Sequence, residues 1–105
     1  MAEQEVEQAL AELELAYGRF MECSAYGRKL ELPKVVRLCL VLRGLCPDGY
    51  VRECLVRLQL ACERLTRVQQ PVDFDETHHL MDGLGHVKTI GYQLRYLGMI
   101  PDELR

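Results

Sequence analysis

Apolar residues recur at helical spacing along the first twenty residues, and this pattern constrains the fold more than any other feature of the chain. At steps of 4, 3, 4 and 3 along the sequence come Val6, Leu10, Leu13, Tyr17 and Phe20. This spacing places the five side chains on one face of an α-helix. Alanine, glutamate and glutamine, which favour helices, fill many of the positions between them. The pattern predicts a helix over residues 3–23.

The next two segments also favour helices. Residues 33–45 are apolar almost all round, which is compatible with a buried strand, but their length and helical neighbours favour a buried helix. Pro33 suits the first turn of that helix, and a turn is predicted over residues 24–29 before it. A third helix is predicted over residues 49–67, with Asp48 as its N-cap.

The last third of the chain predicts one or two helices. Asp73 and Glu76 have the spacing of a capping box, so a helix is expected to begin near residue 74. Glycines at positions 83 and 85 interrupt the pattern, and a further helical pattern begins at Val87 and ends at Gly98. The fold class predicted from the sequence is therefore all-α, with four to five short helices.

Composition indicates one folded domain. The chain has 105 residues, of which 49% are hydrophobic and 28% are charged, and this is typical of a globular domain. Its longest apolar run, Leu38–Leu42, is far too short to span a membrane. The acidic first five residues lack the apolar segment of a signal peptide. We therefore expect a cytoplasmic protein that does not associate with membranes.

Positive charge is concentrated in the middle of the chain. Residues 34–68 hold seven bases and three acids, although the whole chain carries a net charge of −3. A domain that reads nucleic acid is usually basic overall and has aromatic residues among its bases, whereas this segment has one aromatic residue, Tyr50. We expect no nucleic-acid binding, and a positive face that meets an acidic partner surface.

Five cysteines lie along the chain, and no two are closer than seven residues: Cys23, Cys39, Cys46, Cys54 and Cys62. An odd number, without a C-x-x-C pair or a secretory signal, predicts reduced thiols. We expect them to pack as small hydrophobic residues, and we expect neither a metal site nor a cofactor.

Three segments, in the correct order, resemble parts of an EF-hand pair. Residues 7–20 are similar to its entering helix, with an Ala-aromatic pair at Ala16-Tyr17 and a phenylalanine at Phe20. Residues 42–47 are similar to the join between two EF-hands, and residues 72–76 to the end of a loop and the start of the last helix. Over residues 5–82 the chain therefore resembles a lobe of calmodulin, troponin C or a myosin light chain.

The loops implied by this resemblance lack calcium ligands. A calcium loop needs oxygen ligands at its first, third and fifth positions and a glycine at its sixth. After Phe20 those positions hold no carboxylate. Counted back from Glu76 as the twelfth position, the third is Arg67 and the sixth is Gln70. We therefore expect no bound calcium, and we interpret Glu76 as a helix cap rather than a ligand.

The resemblance implies a lobe with degenerate loops over residues 1–82, and a C-terminal helix and tail over residues 83–105 of the same domain. Calcium-free myosin light chains hold an amphipathic helix, so it implies a calcium-independent, light-chain-like subunit that grips such a helix of a larger cytoskeletal or motor-associated protein. The candidates for its partner-binding groove are apolar, although the sequence does not separate core from groove: Phe20, Leu38, Val41, Leu42, Leu45, Leu80, Met81 and Leu84.

Catalysis is not indicated. The chain has one serine, Ser24, and its histidines, His78, His79 and His86, all fall in the fourth helical segment. No glycine-rich phosphate loop or other catalytic signature is present. We therefore expect a protein that is not an enzyme.

A small all-α adaptor subunit of a multiprotein complex, without EF-hand ancestry, is the alternative to the light-chain-like subunit. A short β-bridge near Leu30 and Val72 is expected only in an EF-hand lobe. The C-terminal helix has three possible roles in either case: filling the groove, beginning a second lobe, or exposing Tyr92 and Tyr96 as a docking surface.

Overall fold

Four helices make up the computed structural model, which describes residues 2–67 and 69–101. Their bounds are Ala2–Glu22 for α1, Ala25–Leu45 for α2, Gly49–Leu65 for α3 and Glu76–Tyr96 for α4. Connections of two, three and ten residues join them. No strand occurs in these described ranges, and the all-α prediction is confirmed.

The helices form a closed up-and-down bundle. Each helix packs against two neighbours, in the order α1–α2–α3–α4 and back to α1. α1 and α4 are antiparallel, because Gly83 near the start of α4 lies beside Tyr17, while Gly91 near its end lies beside Leu10. Short connections and this circular order are the features of a four-helix bundle.

The apolar face predicted for α1 fills one wall of the core. Val6, Leu10, Leu13, Tyr17 and Phe20 are all buried, and they pack with buried side chains of the other three helices. α3 starts at Gly49, where the Val51 amide donates to Asp48 Oδ2 at 3.0 Å. The predictions for α1, for α3 and for the Asp48 cap are confirmed.

α2 begins eight residues before its predicted start, so the predicted turn over residues 24–29 is wrong. Ser24 is its N-cap, and Pro33 lies inside the helix rather than in its first turn. Proline removes the hydrogen bond to the carbonyl of Lys29, but both residues are exposed, where water can satisfy that oxygen.

The short β-bridge expected near Leu30 and Val72 is not formed by the described residues. Leu30 lies in α2, and Val72 lies in the connection between α3 and α4.

α4 is one helix where one or two were expected. Its N-cap is Asp75, whose Oδ1 accepts from the His78 amide at 3.0 Å, rather than Asp73. It continues through Gly83 and Gly85 to Tyr96, across the division drawn at residues 82 and 83. The interruption predicted at these glycines is wrong, because a helix can accommodate a glycine at a cost of about 1 kcal/mol.

α4 approaches α1 closely at Gly83. The Tyr17 hydroxyl donates to the carbonyl oxygen of Leu80 at 2.7 Å. A Cβ at position 83 would overlap this hydroxyl and lie 2.7 Å from Tyr17 Cζ. Packing against Tyr17 therefore requires a glycine at position 83. Burial of the Tyr17 ring also raises the pKa of its hydroxyl well above the usual value.

A buried arginine joins the starts of α2 and α4. Arg28 is buried, and its Nη2 donates to Glu76 Oε1 at 2.6 Å. Glu76 is in the first turn of α4, where a negative charge also stabilises the helix dipole. The interpretation of Glu76 as the cap is thus replaced by an ion pair beside the cap residue Asp75.

α4 ends in a Schellman motif, as the glycine at 98 predicted. Gly98 has φ +74°, its amide donates to the Arg95 carbonyl, and the Met99 amide donates to the Leu94 carbonyl. The chain then returns to the bundle, where Ile100 is buried in the core. Residues 102–105 of the expected tail lie outside the described residues.

The thiols are buried at four of the five positions. Cys39, Cys46, Cys54 and Cys62 are buried, and Cys23 is half-buried. Burial raises the pKa of Cys39 to about 12, although Arg43 opposes the shift. The pKa of Cys62 is raised by burial and then by the neighbouring Cys39. These cysteines pack as core residues, as the sequence predicted.

Gly83→Ala should destabilise the protein by about 1–3 kcal/mol, because the added methyl group displaces the Tyr17 ring. Gly85→Ala is the matched control, since a Cβ there meets nothing within 4 Å, and it should stabilise the helix by up to about 1 kcal/mol. Urea unfolding of the two variants measures both effects. Equal stabilities would contradict the close approach of α1 and α4.

Alkylation by iodoacetamide at pH 8.5 should modify Cys23 first. Cys39 and Cys62 should react only as the chain unfolds, because burial blocks the reagent and their raised pKa values keep them protonated. Mass spectrometry of peptides from a time course, with a urea-unfolded sample as the control, measures the order. Labelling of Cys39 as fast as that of Cys23 would contradict the core arrangement.

Candidate docking surface on the second helix

α2 carries apolar side chains on two opposite sides. Its inner side supplies Val35, Leu38, Cys39 and Leu42 to the core. On the opposite side, steps of 4, 3, 4 and 3 connect Tyr26, Leu30, Pro33, Arg37 and Leu40, and Lys34 and Val41 lie beside them. We call these seven residues the α2 outer face.

The apolar members of the α2 outer face are well exposed. Tyr26 is 74% exposed, Leu30 68%, Leu40 53% and Val41 40%. Single exposed apolar residues are common on protein surfaces, but these four follow one helix side over four turns. A helix that is apolar all round is normally covered all round, whereas in the described bundle α2 packs along α1 and α3 and meets α4 at the Arg28–Glu76 ion pair. The outer face is therefore an apolar surface without a partner in the described bundle.

The charges on this face are positive. Lys34 and Arg37 are exposed within it, and Lys29 is exposed at its edge. The acid of α2, Glu31, is half-buried. No carboxylate in the described part of the chain forms an ion pair with these three bases. The outer face is thus both apolar and cationic.

A groove between α1 and α2 continues this face. It consists of two adjoining depressions of about 190 and 220 Å³, which are smaller than pockets for drug-sized molecules, at roughly 300 Å³ and above. Each depression is of a size that accepts a side chain. The α1–α2 groove is lined from α1 by Glu5, Gln8, Ala9, Glu12, Leu15, Ala16 and Arg19, and from α2 by Lys34, Arg37, Leu38, Val41 and Leu45.

Three of the eight candidate groove residues meet in this groove: Leu38, Val41 and Leu45. Phe20 and Leu42 are completely buried in the core, so the closed bundle does not present them to a partner. On α4, Leu80 and Leu84 pack against the core and Met81 is exposed. The eight residues therefore do not form one groove.

Four members of the outer face were not among the candidates: Tyr26, Leu30, Pro33 and Leu40. The predicted turn over residues 24–29 and the placement of Pro33 at a helix start divided the pattern. The outer face has the same spacing of 4, 3, 4 and 3 as the apolar face of α1. Residues 35–42 also contain few polar residues, and this scarcity is the sequence signal that α2 lacks a polar side facing solvent.

The C-terminal half of α4 has one buried side and one exposed side, and its role toward a partner stays a prediction. Val87, Ile90 and Leu94 fill the core, while Tyr92 and Tyr96 project into solvent, 66% and 84% exposed. This tyrosine surface is a second exposed aromatic region. It lacks the continuous apolar spacing of the α2 outer face.

The remaining polar residues of the described chain form no metal-ligand cluster. Within residues 2–67 and 69–101, no three histidine, cysteine or acidic side chains are placed to hold a metal ion. His79 stacks on Phe74, with ring centroids 4.5 Å apart, and His86 Nε2 lies 3.4 Å from Asp82 Oδ2.

A bilayer-spanning segment needs about 20 apolar residues, and none of the described helices provides one.

Comparison of this chain with protein-family models, with curated proteins and with solved structures finds no match.

Proposed function

We propose that this chain is a non-enzymatic, calcium-independent protein-binding subunit, an all-α adaptor that docks a larger protein on the α2 outer face. The observation that carries the proposal is the row of exposed apolar side chains from Tyr26 to Val41 on one side of a packed helix. Burial of apolar surface is the main driving force of protein association. A rigid helix with such a row binds without first having to order itself.

The positions of the polar residues support a non-catalytic role. The Ser24 hydroxyl accepts from the Gly27 amide at the start of α2. His79 is stacked on Phe74, and His86 is beside Asp82 on the same helix. Nucleophilic catalysis needs a serine or cysteine activated by a base in a reactive pocket. These side chains instead have local structural contacts.

Two features support calcium independence. α1 and α2 are joined by Cys23 and Ser24 alone, which leaves no room for a twelve-residue calcium loop. In the connection before α4, the Gln70 side-chain amide donates to the carbonyls of Arg64 and Arg67. Those oxygens are thus already hydrogen-bonded in the chain.

The light-chain-like alternative differs in where the partner helix lies. It places that helix between the helices of an opened lobe, in contact with residues such as Phe20 and Leu42. Burial of these two side chains in a closed core favours a partner outside the bundle. The EF-hand resemblance remains a proposal about ancestry and does not affect the docking surface.

Substitution of Leu30 and Leu40 by glutamate should abolish retention of the partner in a pull-down in chelator from the protein's own cells. Each leucine is exposed, so the variant should keep its helical content and its melting temperature within a few degrees. Val56→Glu with Leu60→Glu is the matched control, because these residues are exposed on α3. Mass spectrometry quantifies the retained protein.

Equal loss of the partner from both double variants would contradict docking on α2. Recovery of a partner only when calcium is restored would contradict calcium independence.

A further inference from the structure

We infer that the occupant of the α2 outer face is an acidic amphipathic helix of another protein. This inference rests on the proposed function and specifies the chemistry of its partner.

The arrangement of residues along the face defines the pattern of that helix. Leu30 and Leu40 are ten residues apart, which is about 15 Å along a helix. Lys34 and Arg37 lie between them, one turn apart on the same side. A helix packed along α2 therefore meets apolar side chains at both ends and two cations in the middle. The complementary helix has two apolar anchors about ten residues apart, and acids between them.

The cations require negative charge on whatever covers them. Lys34 and Arg37 make no ion pair with a carboxylate of residues 2–67 or 69–101. Covering a charged group with an apolar or cationic surface costs free energy unless it gains a partner. Glutamates or aspartates on the docking helix provide that partner, and they also exclude basic competitors.

A second copy of the chain does not fit this requirement. In a two-fold dimer formed by two outer faces, the same patch meets itself. Residues near position 35, the midpoint of Ala25–Leu45, then lie at the axis. Lys34 and Arg37 of one copy approach those of the other, and like charges in an interface repel.

An anionic membrane surface fits less well than an acidic helix. Interfacial helices place their bases on a polar face separate from the apolar one, whereas Lys34 and Arg37 interrupt the apolar row of α2.

The probe is a synthetic helical peptide with leucines ten residues apart and glutamates at the same-face positions between them. Its twin carries lysine at each glutamate. Fluorescence anisotropy with the full chain should show binding of the acidic peptide, weakened by added salt, and no binding of the basic twin.

Lys34→Glu with Arg37→Glu should weaken binding of the acidic peptide by about tenfold or more, and should allow the basic twin to bind.

Arg52→Glu with Arg67→Glu is the control, because it makes the same change in net charge at exposed residues outside α2. It should keep the affinity for the acidic peptide within about twofold if the effect is local. Circular dichroism verifies that both variants are folded.

Three results would overturn the inference: no binding of the acidic peptide, equal loss in both charge variants, or a dimer in sedimentation that the Lys34 and Arg37 substitutions strengthen or abolish. Binding of the wild-type chain to phosphatidylserine vesicles, lost in the Lys34 and Arg37 variant, would show that the occupant of the α2 outer face is an anionic membrane rather than an acidic helix.

If the Leu30 and Leu40 substitutions abolish partner capture and the acidic peptide does not bind, only this inference fails. If capture is unchanged, the proposed function fails as well.

Discussion

Close packing of α1 against α4 closes the bundle, and the rest of the arrangement depends on it. Tyr17 reaches over Gly83 to the carbonyl oxygen of Leu80, so that the last helix completes the core rather than projecting from it. Arg28 and Glu76 join the starts of α2 and α4 at that end. Because the ring of helices is complete, each helix has one side that faces solvent.

On three helices that solvent side is mostly polar, and on α2 it is not. A bundle of this size cannot bury both apolar sides of one helix, since its inner side already fills the core with residues such as Val35 and Leu42. The outer side is left with Leu30 and Leu40 beside Lys34 and Arg37. The apolar pattern of α2 thus conflicts with the exposed position of its outer side. This conflict is the physical reason for proposing a docking site there, because departures from local consistency concentrate at functional sites.

The features of the fold that depend on local periodicity could be predicted from the sequence. The apolar face of α1, the extent of α3 and the caps at Asp48 and Gly98 follow from spacing and residue type alone. The start of α2 and the continuity of α4 depend on tertiary contacts instead. A helix containing Pro33 is anchored by the buried Arg28, and the glycine at 83 is a packing requirement of a side chain 66 residues away.

The docking surface could be predicted only in part for the same reason. Spacing places Leu38 and Val41 on α2, but burial of one and exposure of the other depend on which helices surround it. The structure supplies that information. It separates a core side from an outer side on a helix whose sequence makes both apolar.

Hydrogen exchange of α2, measured in the free chain and in its complex with the partner retained in chelator, tests directly whether the partner docks on the α2 outer face. Docking there predicts added protection over Ala25–Leu45 and little change over Gly49–Leu65. Added protection confined to α4 would contradict docking on α2. Loss of protection in the core, as α1 separates from α4, would contradict a partner bound on the outside of a closed bundle.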